Sequence, residues 1–260
     1  MPGKIRIERT ESIAHIVFDH PERRNAITVD MWKTIPELVG TLAEDPAVRV
    51  VLMRGAGSEA FVSGADISEF EKTRTGEAGR DYDAITARAF AALRSLDKPL
   101  IASIHGFCIG GGAALALTAD LRYGAKDAVF ALPPARLGLG YHTAGVQALV
   151  HTVGFSGAAD LLFSARRVTA ADALRMGLLN GVFEGEELDE AVTRIARGIA
   201  ANAPLSVQSA KISLRELAKP PAQRDGEAME ASIERCYQSE DFQEGVQAFL
   251  QKRLPRFQGR

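Results

Sequence analysis

The sequence predicts an α/β core followed by a helical C-terminal section. Up to about residue 140, short apolar runs alternate with segments of helical period, the order expected of strands and helices wound on one core. Beyond that point the strand signal fades and helical periodicity continues to the end. Between them lie strand-to-helix junctions rich in glycine, above all Gly106–Gly112.

Two short strands, Ile5–Glu8 and Ile13–Phe18, open the chain, and Asp19-His20-Pro21 ends the second by pushing the residue before proline out of helical space. Thr28 then caps a helix carrying Met31, Ile35, Leu38 and Leu42, with Pro36 marking a kink or short first turn. Val48–Met53 is apolar throughout, as in a strand covered on both faces. Ala60–Ile67 is followed by a polar, mobile stretch, Glu71–Gly79, and by a helix over Tyr82–Leu96 that Lys98-Pro99 stops. Leu100–Ile104 is a buried strand, Ala113–Thr118 a helix, and Leu121–Tyr123 and Ala128–Phe130 are strands. Helices are expected at Thr143–Val153, Ser156–Phe163, Ala170–Met176, Leu188–Ala201, Leu205–Leu217, Gly226–Cys236 and Ser239–Lys252. The organisation is thus a core over 1–200 and a helical section over 201–260.

Composition narrows the function. Hydrophobic residues at 46% and charged residues at 25% are ordinary for a globular chain. A net charge of −2 leaves no basic field for nucleic acid, so an anionic ligand needs local cations. Cys108 and Cys236 lack metal spacing, which excludes a zinc site and fits a reducing cytoplasm. The start, MPGKIRIERT, has no signal-peptide core, and no run of eighteen apolar residues occurs, so a soluble protein is expected.

Gly106-Phe-Cys-Ile-Gly-Gly-Gly lacks the GK[ST] of a phosphate loop and the GxGxxG of a dinucleotide fingerprint. A helix starting there presents unpaired N–H groups to a partial negative charge. A second segment, Ala60-Phe-Val-Ser-Gly-Ala-Asp-Ile, lets Gly64 turn the Ala65 N–H towards a cavity, and Asp66 reads as a cap. Together with Pro21-Glu-Arg-Arg-Asn-Ala-Ile, the long stretch from Leu162 to Asn180, and Glu244-Gly-Val-Gln-Ala-Phe-Leu-Gln-Lys-Arg, these segments resemble the crotonase superfamily (enoyl-CoA hydratase/isomerase) over nearly the whole chain.

That resemblance implies a spiral of repeated ββα units and an acyl-CoA substrate whose thioester carbonyl sits between the N–H groups of Ala65 and Gly111. It implies no cofactor beyond coenzyme A as carrier, no metal, and assembly as a homotrimer or a dimer of trimers. It places CoA contacts on Arg23, Arg24 and Ala26, on Ser63, Asp66 and Ile67, and on Phe249 and Lys252 in the helical section. The tail adds local positive charge through Lys252, Arg253, Arg256 and Arg260.

Two positions depart from the family's hydratases. Their water-holding glutamates correspond to Ala114 and Pro134, neither of which can move a proton. Asp120 reads as a structural partner of Arg122 or Arg136, and His105 as a strand-end residue. Tyr141 matches a tyrosine of family decarboxylases acting on malonyl-type thioesters, and His142 a position where some members place a carboxylate. An imidazole titrating near 6.5 and a phenol could both serve at the acyl pocket. Three functions stay open: a hydratase/isomerase-family enzyme, a decarboxylase of a malonyl-type CoA thioester, and a non-catalytic acyl-CoA-binding protein.

Overall fold

A computed structural model describes residues 3–69 and 76–260. Its strands form two stacked layers, and the order of elements explains how. Four consecutive units contribute two strands and a helix each: β1 (Lys4–Thr10), β2 (Ile13–Asp19), α1 (Val29–Glu44); β3 (Val50–Gly55), β4 (Ala60–Val62), α2 (Gly76–Ser95); β5 (Leu100–Ile104), β6 (Phe107–Ile109), α3 (Gly111–Ala116); β7 (Leu121–Ala125), β8 (Val129–Ala131), α4 (Thr143–Ser164). β9 (Val168–Thr169), α5 (Ala170–Arg175), β10 (Gly181–Phe183) and α6 (Leu188–Ala200) follow. From the second unit on, the first strand joins a six-stranded sheet ordered β1-β2-β3-β5-β7-β10 and the second joins a four-stranded sheet ordered β4-β6-β8-β9. This is the expected ββα spiral. Three further helices, α7 (Pro204–Leu217), α8 (Gly226–Tyr237) and α9 (Glu240–Leu250), complete the chain.

Strand alternation sorts the large sheet's two faces. Val51 and Met53 of β3 point into the main core with Ile16, Phe18, Leu100 and Ala102. Val50 and Leu52 point the other way, under Leu188, Val192 and Ala196 of α6. On α1, the Thr28 hydroxyl accepts from the Met31 N–H at 3.3 Å, and the helix runs on through Pro36 while burying Met31, Trp32, Ile35, Val39 and Leu42.

Several expectations are corrected. The strand signal does not end near residue 140: β9 pairs antiparallel with β8, and β10 pairs parallel with β7. They are two and three residues long, too short for periodicity to register. α2 begins at Gly76, so the last residues of the expected polar loop Glu71–Gly79 are helical, while 71–75 lie outside the described residues. Asp120 pairs with neither Arg122 nor Arg136; it accepts from the Leu100 N–H and from Lys211 Nζ, both at 2.7 Å. Arg122 instead donates to the carbonyls of Leu178 and Ala119.

The basic tail is neutralised more than its composition suggested, because it folds back on α9. Arg253 reaches both Glu244 oxygens at 2.6 and 2.8 Å, and Arg260 reaches Glu240 at 3.0 Å. Arg253 and the Arg256 N–H hold the Glu244 carboxyl down to about 2.

Among the described residues one helix, α4, has the length and apolarity of a membrane span. Gly154 (φ 72°, ψ 170°) breaks it in two, leaving each piece short of the roughly 20 residues a bilayer requires. That break separates the two helices expected over 143–153 and 156–163.

Candidate active site

Two glycine-containing turns bring the site together. Ile27 and Ala65 form an isolated parallel bridge: the Ile27 N–H donates to Gly64 O at 2.8 Å and the Asp66 N–H to Ile27 O at 3.0 Å. Ile27 thus bonds to the two neighbours of Ala65, so the Ala65 N–H faces away from that ladder, without a backbone partner among the described residues.

Opposite it, Gly111 is the first residue of α3, where no intrahelical acceptor exists for its N–H. Gly110 turns the chain into that helix with φ 54° and ψ −111°, a conformation closed to side-chain-bearing residues, while its own N–H is tied to Ala131 O at 2.8 Å. A Cβ built on Gly111 would lie 3.7 Å from the Ala65 nitrogen and 3.4 Å from the Trp32 ring. The two expected donors are therefore neighbours, although 46 positions separate them in the chain.

Trp32 forms the wall beside them. Its indole N–H donates to the Tyr82 hydroxyl at 2.9 Å, and its ring meets Phe90 edge-on with centroids 5.1 Å apart. This wall was missed in the sequence. The available signal was the chain's single tryptophan on a buried helix face, whose N–H demands a partner.

Ala114 and Pro134, expected from the resemblance to stand where hydratases carry glutamates, are both half-buried, Ala114 on α3 and Pro134 at the start of a short 3₁₀ turn over Pro134–Leu137. Tyr141 folds over the first turn of α4, its ring edge 2.7 Å from where a Cβ on Gly145 would stand. The Tyr141 hydroxyl is buried without a hydrogen-bond partner among the described residues, and burial pushes its phenol up to about 12. It is a neutral donor at physiological pH. His142 has a largely exposed side chain; Nε2 lies 3.1 Å from Asp83 Oδ1 on α2 rather than capping α4. His105 is buried at a strand end, its Nε2 3.1 Å from Asp189 Oδ1.

The candidate CoA residues fall into two groups. Asn25 pins the first: its side-chain amide donates to Ala56 O and Ala60 O at 3.0 and 2.7 Å and accepts from the His20 N–H. The loop so held carries Arg23, Arg24 and Ala26, and Ser63 joins it through Ser63 N–H to Arg24 O and Ser63 Oγ to Arg23 O. Arg24 pairs with Glu59 at 2.7 Å and stacks 4.9 Å from the Phe107 ring centroid, with Arg167 at 5.9 Å from the same ring. Asp66 is a cap, accepting from the N–H and hydroxyl of Ser68 at 2.9 and 2.7 Å. Burial raises its pKa, but those bonds outweigh burial and leave it below the usual range. Ile67 begins a 3₁₀ turn, and its side chain lies outside the described residues.

Phe249 and Lys252 form the second group, exposed at the end of α9 and joined to the first by no hydrogen bond or ion pair among the described residues. No cluster of three His, Cys, Asp or Glu suited to a metal occurs among the described residues.

Comparison with known proteins agrees in fold and family. The model of the enoyl-CoA hydratase/isomerase family matches residues 8–260. A short-chain-enoyl-CoA hydratase from Clostridium acetobutylicum is 33% identical over 247 residues, covering 95% of this chain and 94% of its own. A methylmalonyl-CoA decarboxylase from Escherichia coli is 30% identical over 261 residues, covering 98% of each. The crystal structure of a putative enoyl-CoA hydratase/isomerase family protein from Hyphomonas neptunium superposes with a TM-score of 0.94 at 38% identity, covering 98% of both chains. With the ββα spiral, this full-length likeness settles kinship: the chain belongs to the enoyl-CoA hydratase/isomerase family of the crotonase superfamily.

Proposed function

We propose that this protein is an enzyme that binds an acyl-CoA thioester and stabilises its enolate between the N–H groups of Ala65 and Gly111. The observation that carries this reading is the pair itself: two backbone donors side by side, neither with a backbone acceptor among the described residues. Charge that builds on a thioester oxygen during reaction at the α or β carbon is what such preorganised donors stabilise. Coenzyme A is held at the loop of Arg23, Arg24, Ala26 and Ser63, with Asp66 and Ile67 at its edge. No further cofactor is required. The free thiols Cys108 and Cys236 fit a reducing cytoplasm.

Ala114 and Pro134, read as the counterparts of the hydratases' two glutamates, support a reaction other than two-glutamate hydration. Tyr141 and His142 are then the groups assigned to move or orient a proton. Decarboxylation of a malonyl-type CoA thioester is a second reading, favoured by the buried, unpartnered Tyr141 hydroxyl; it needs the donor pair and a desolvated carboxylate but no glutamate. Incubation with crotonyl-CoA, a 3-enoyl-CoA and methylmalonyl-CoA, followed by mass, tests both. Slow or absent hydration of crotonyl-CoA is expected. Rapid hydration that survives His142→Ala and Tyr141→Phe overturns the assignment of the site. Binding of every ester without turnover makes the chain an acyl-CoA-binding protein.

Assembly belongs to the same proposal. Residues 201–260 expose Leu214, Tyr237, Phe242, Phe249, Leu250 and Leu254, more apolar surface than a helical section keeps in water when alone. A homotrimer or dimer of trimers covers it and carries Phe249 and Lys252 towards a neighbouring CoA site. Sedimentation velocity at micromolar concentration is expected to show a trimer or hexamer, and a monomer there excludes it.

A further inference from the structure

Resting on the proposed hold on coenzyme A, we infer that Arg167, a residue outside the CoA loop, joins Arg24 in binding a phosphate of the CoA carrier. The two side chains meet over one ring. The Arg24 guanidinium carbon lies 4.9 Å from the Phe107 centroid and that of Arg167 lies 5.9 Å from it.

Sheet topology explains how they converge. The small sheet runs β4-β6-β8-β9, and Cys108, Phe130 and Val168 on its last three strands belong to the core. By alternation Phe107, Val129 and Thr169, paired in register across those strands, share the opposite face. Arg167 directly precedes β9 at the sheet's edge, so its side chain spans β8 to reach Phe107. Arg24 arrives from the other side, out of the loop pinned by Asn25, and Glu59 holds it at 2.7 Å. Glu59 adjoins the ring through its backbone, its carbonyl accepting from the Phe107 N–H at 3.1 Å.

Charge on that face does not balance. Two guanidinia share the ring, and the carboxylate beside them, Glu59, is paired with Arg24. Arg167 is exposed and has no carboxylate partner among the described residues, whereas its neighbour Arg166 is taken by Asp160. Stacking leaves the in-plane N–H donors of a guanidinium available and holds the fork in place, so less side-chain freedom is lost when an anion binds.

Phosphate supplies the charge and the acceptor oxygens that such a fork matches. CoA carries phosphates in its diphosphate and on the ribose 3′ oxygen, and none in its pantetheine arm. A chain of net charge −2 must meet them with local cations. The tail offers fewer than its composition promised, since Arg253 and Arg260 are committed to Glu244 and Glu240. Arg167 keeps its charge uncommitted beside the loop proposed to hold the carrier.

Isothermal titration of the full-length protein with hexanoyl-CoA, hexanoyl-dephospho-CoA and S-hexanoylpantetheine tests the inference. Arg167→Gln is expected to weaken hexanoyl-CoA about tenfold and to leave S-hexanoylpantetheine within about twofold of wild type. Arg167→Lys is expected to recover part of that loss. Arg194→Gln, which removes an exposed arginine of α6 paired with Glu190, is expected to change neither ester. An effect that the dephospho ester escapes assigns the anion to the 3′-phosphate, and one that it shares assigns it to the diphosphate; either supports the inference. If Arg167→Gln does not fold, Arg167→Met, which keeps an apolar stem across β8, makes the same comparison. A neutral variant that binds hexanoyl-CoA as tightly as wild type overturns the inference. Equal weakening of the CoA and pantetheine esters also overturns it, since the stack on Phe107 then serves packing alone. Failure of wild type to bind any of the three esters defeats the thioester reading and this inference with it; the other negative outcomes defeat only this one.

Discussion

Gly111→Pro is expected to lower turnover by about a hundredfold or more while leaving the fold intact. Gly111 is the first residue of α3, a position where proline is accepted because its missing N–H has no helical partner to lose. The added ring meets Trp32 near 3.4 Å, a contact that a few tenths of an ångström of movement relieves. What disappears is one of the two donors. Removal of one such donor typically costs about 3 kcal/mol in the barrier, a factor on the order of 10². The reaction need not be known to measure it. A conjugated dienoyl-CoA bound at the pair should absorb to the red of the free ester, because donors at the carbonyl polarise the chromophore. Wild type and Gly111→Ala, which keeps the N–H, are expected to show the shift. Gly111→Pro is expected to lose most of it. A full shift in the proline variant would place the carbonyl elsewhere.

The proximity of Ala65 and Gly111, on which the proposed donor pair rests, was legible in the sequence because it depends on backbone. Three glycines at a strand-to-helix junction and Gly64 before Ala65 announce exposed N–H groups whatever side chains surround them. The central strands were legible for a related reason, since Val50–Met53 and Leu100–Ile104 are buried on both faces and read as apolar runs. What stayed hidden depends on distant partners. Trp32 finds Tyr82 50 positions away, and Asp120 finds Lys211 91 positions away. The tail's positive charge was overestimated for the same reason, its acids lying one helix earlier at Glu240 and Glu244.

Gly112→Ala is expected to damage stability and site together, which distinguishes it from Gly111→Pro. A Cβ on Gly112 would stand 2.0 Å from Val62 O and 2.8 Å from Val62 C, both backbone atoms of β4. No rotamer relieves such an overlap, so α3 must move away from β4. Overpacking of this kind costs about 1–3 kcal/mol where neighbours can yield, and the rigid backbone on both sides puts this case at the upper end or above. The midpoint of urea unfolding is expected to fall, with an unchanged slope if the native core is otherwise kept. The same contact spaces the donors, since Gly112 adjoins Gly111 and Val62 lies three residues before Ala65. Pushing α3 off β4 therefore separates the two N–H groups, and the dienoyl-CoA shift should shrink in step with the loss of stability. A Gly112→Ala protein as stable as wild type, with its shift intact, would mean that the α3–β4 contact does not set the spacing of the donors.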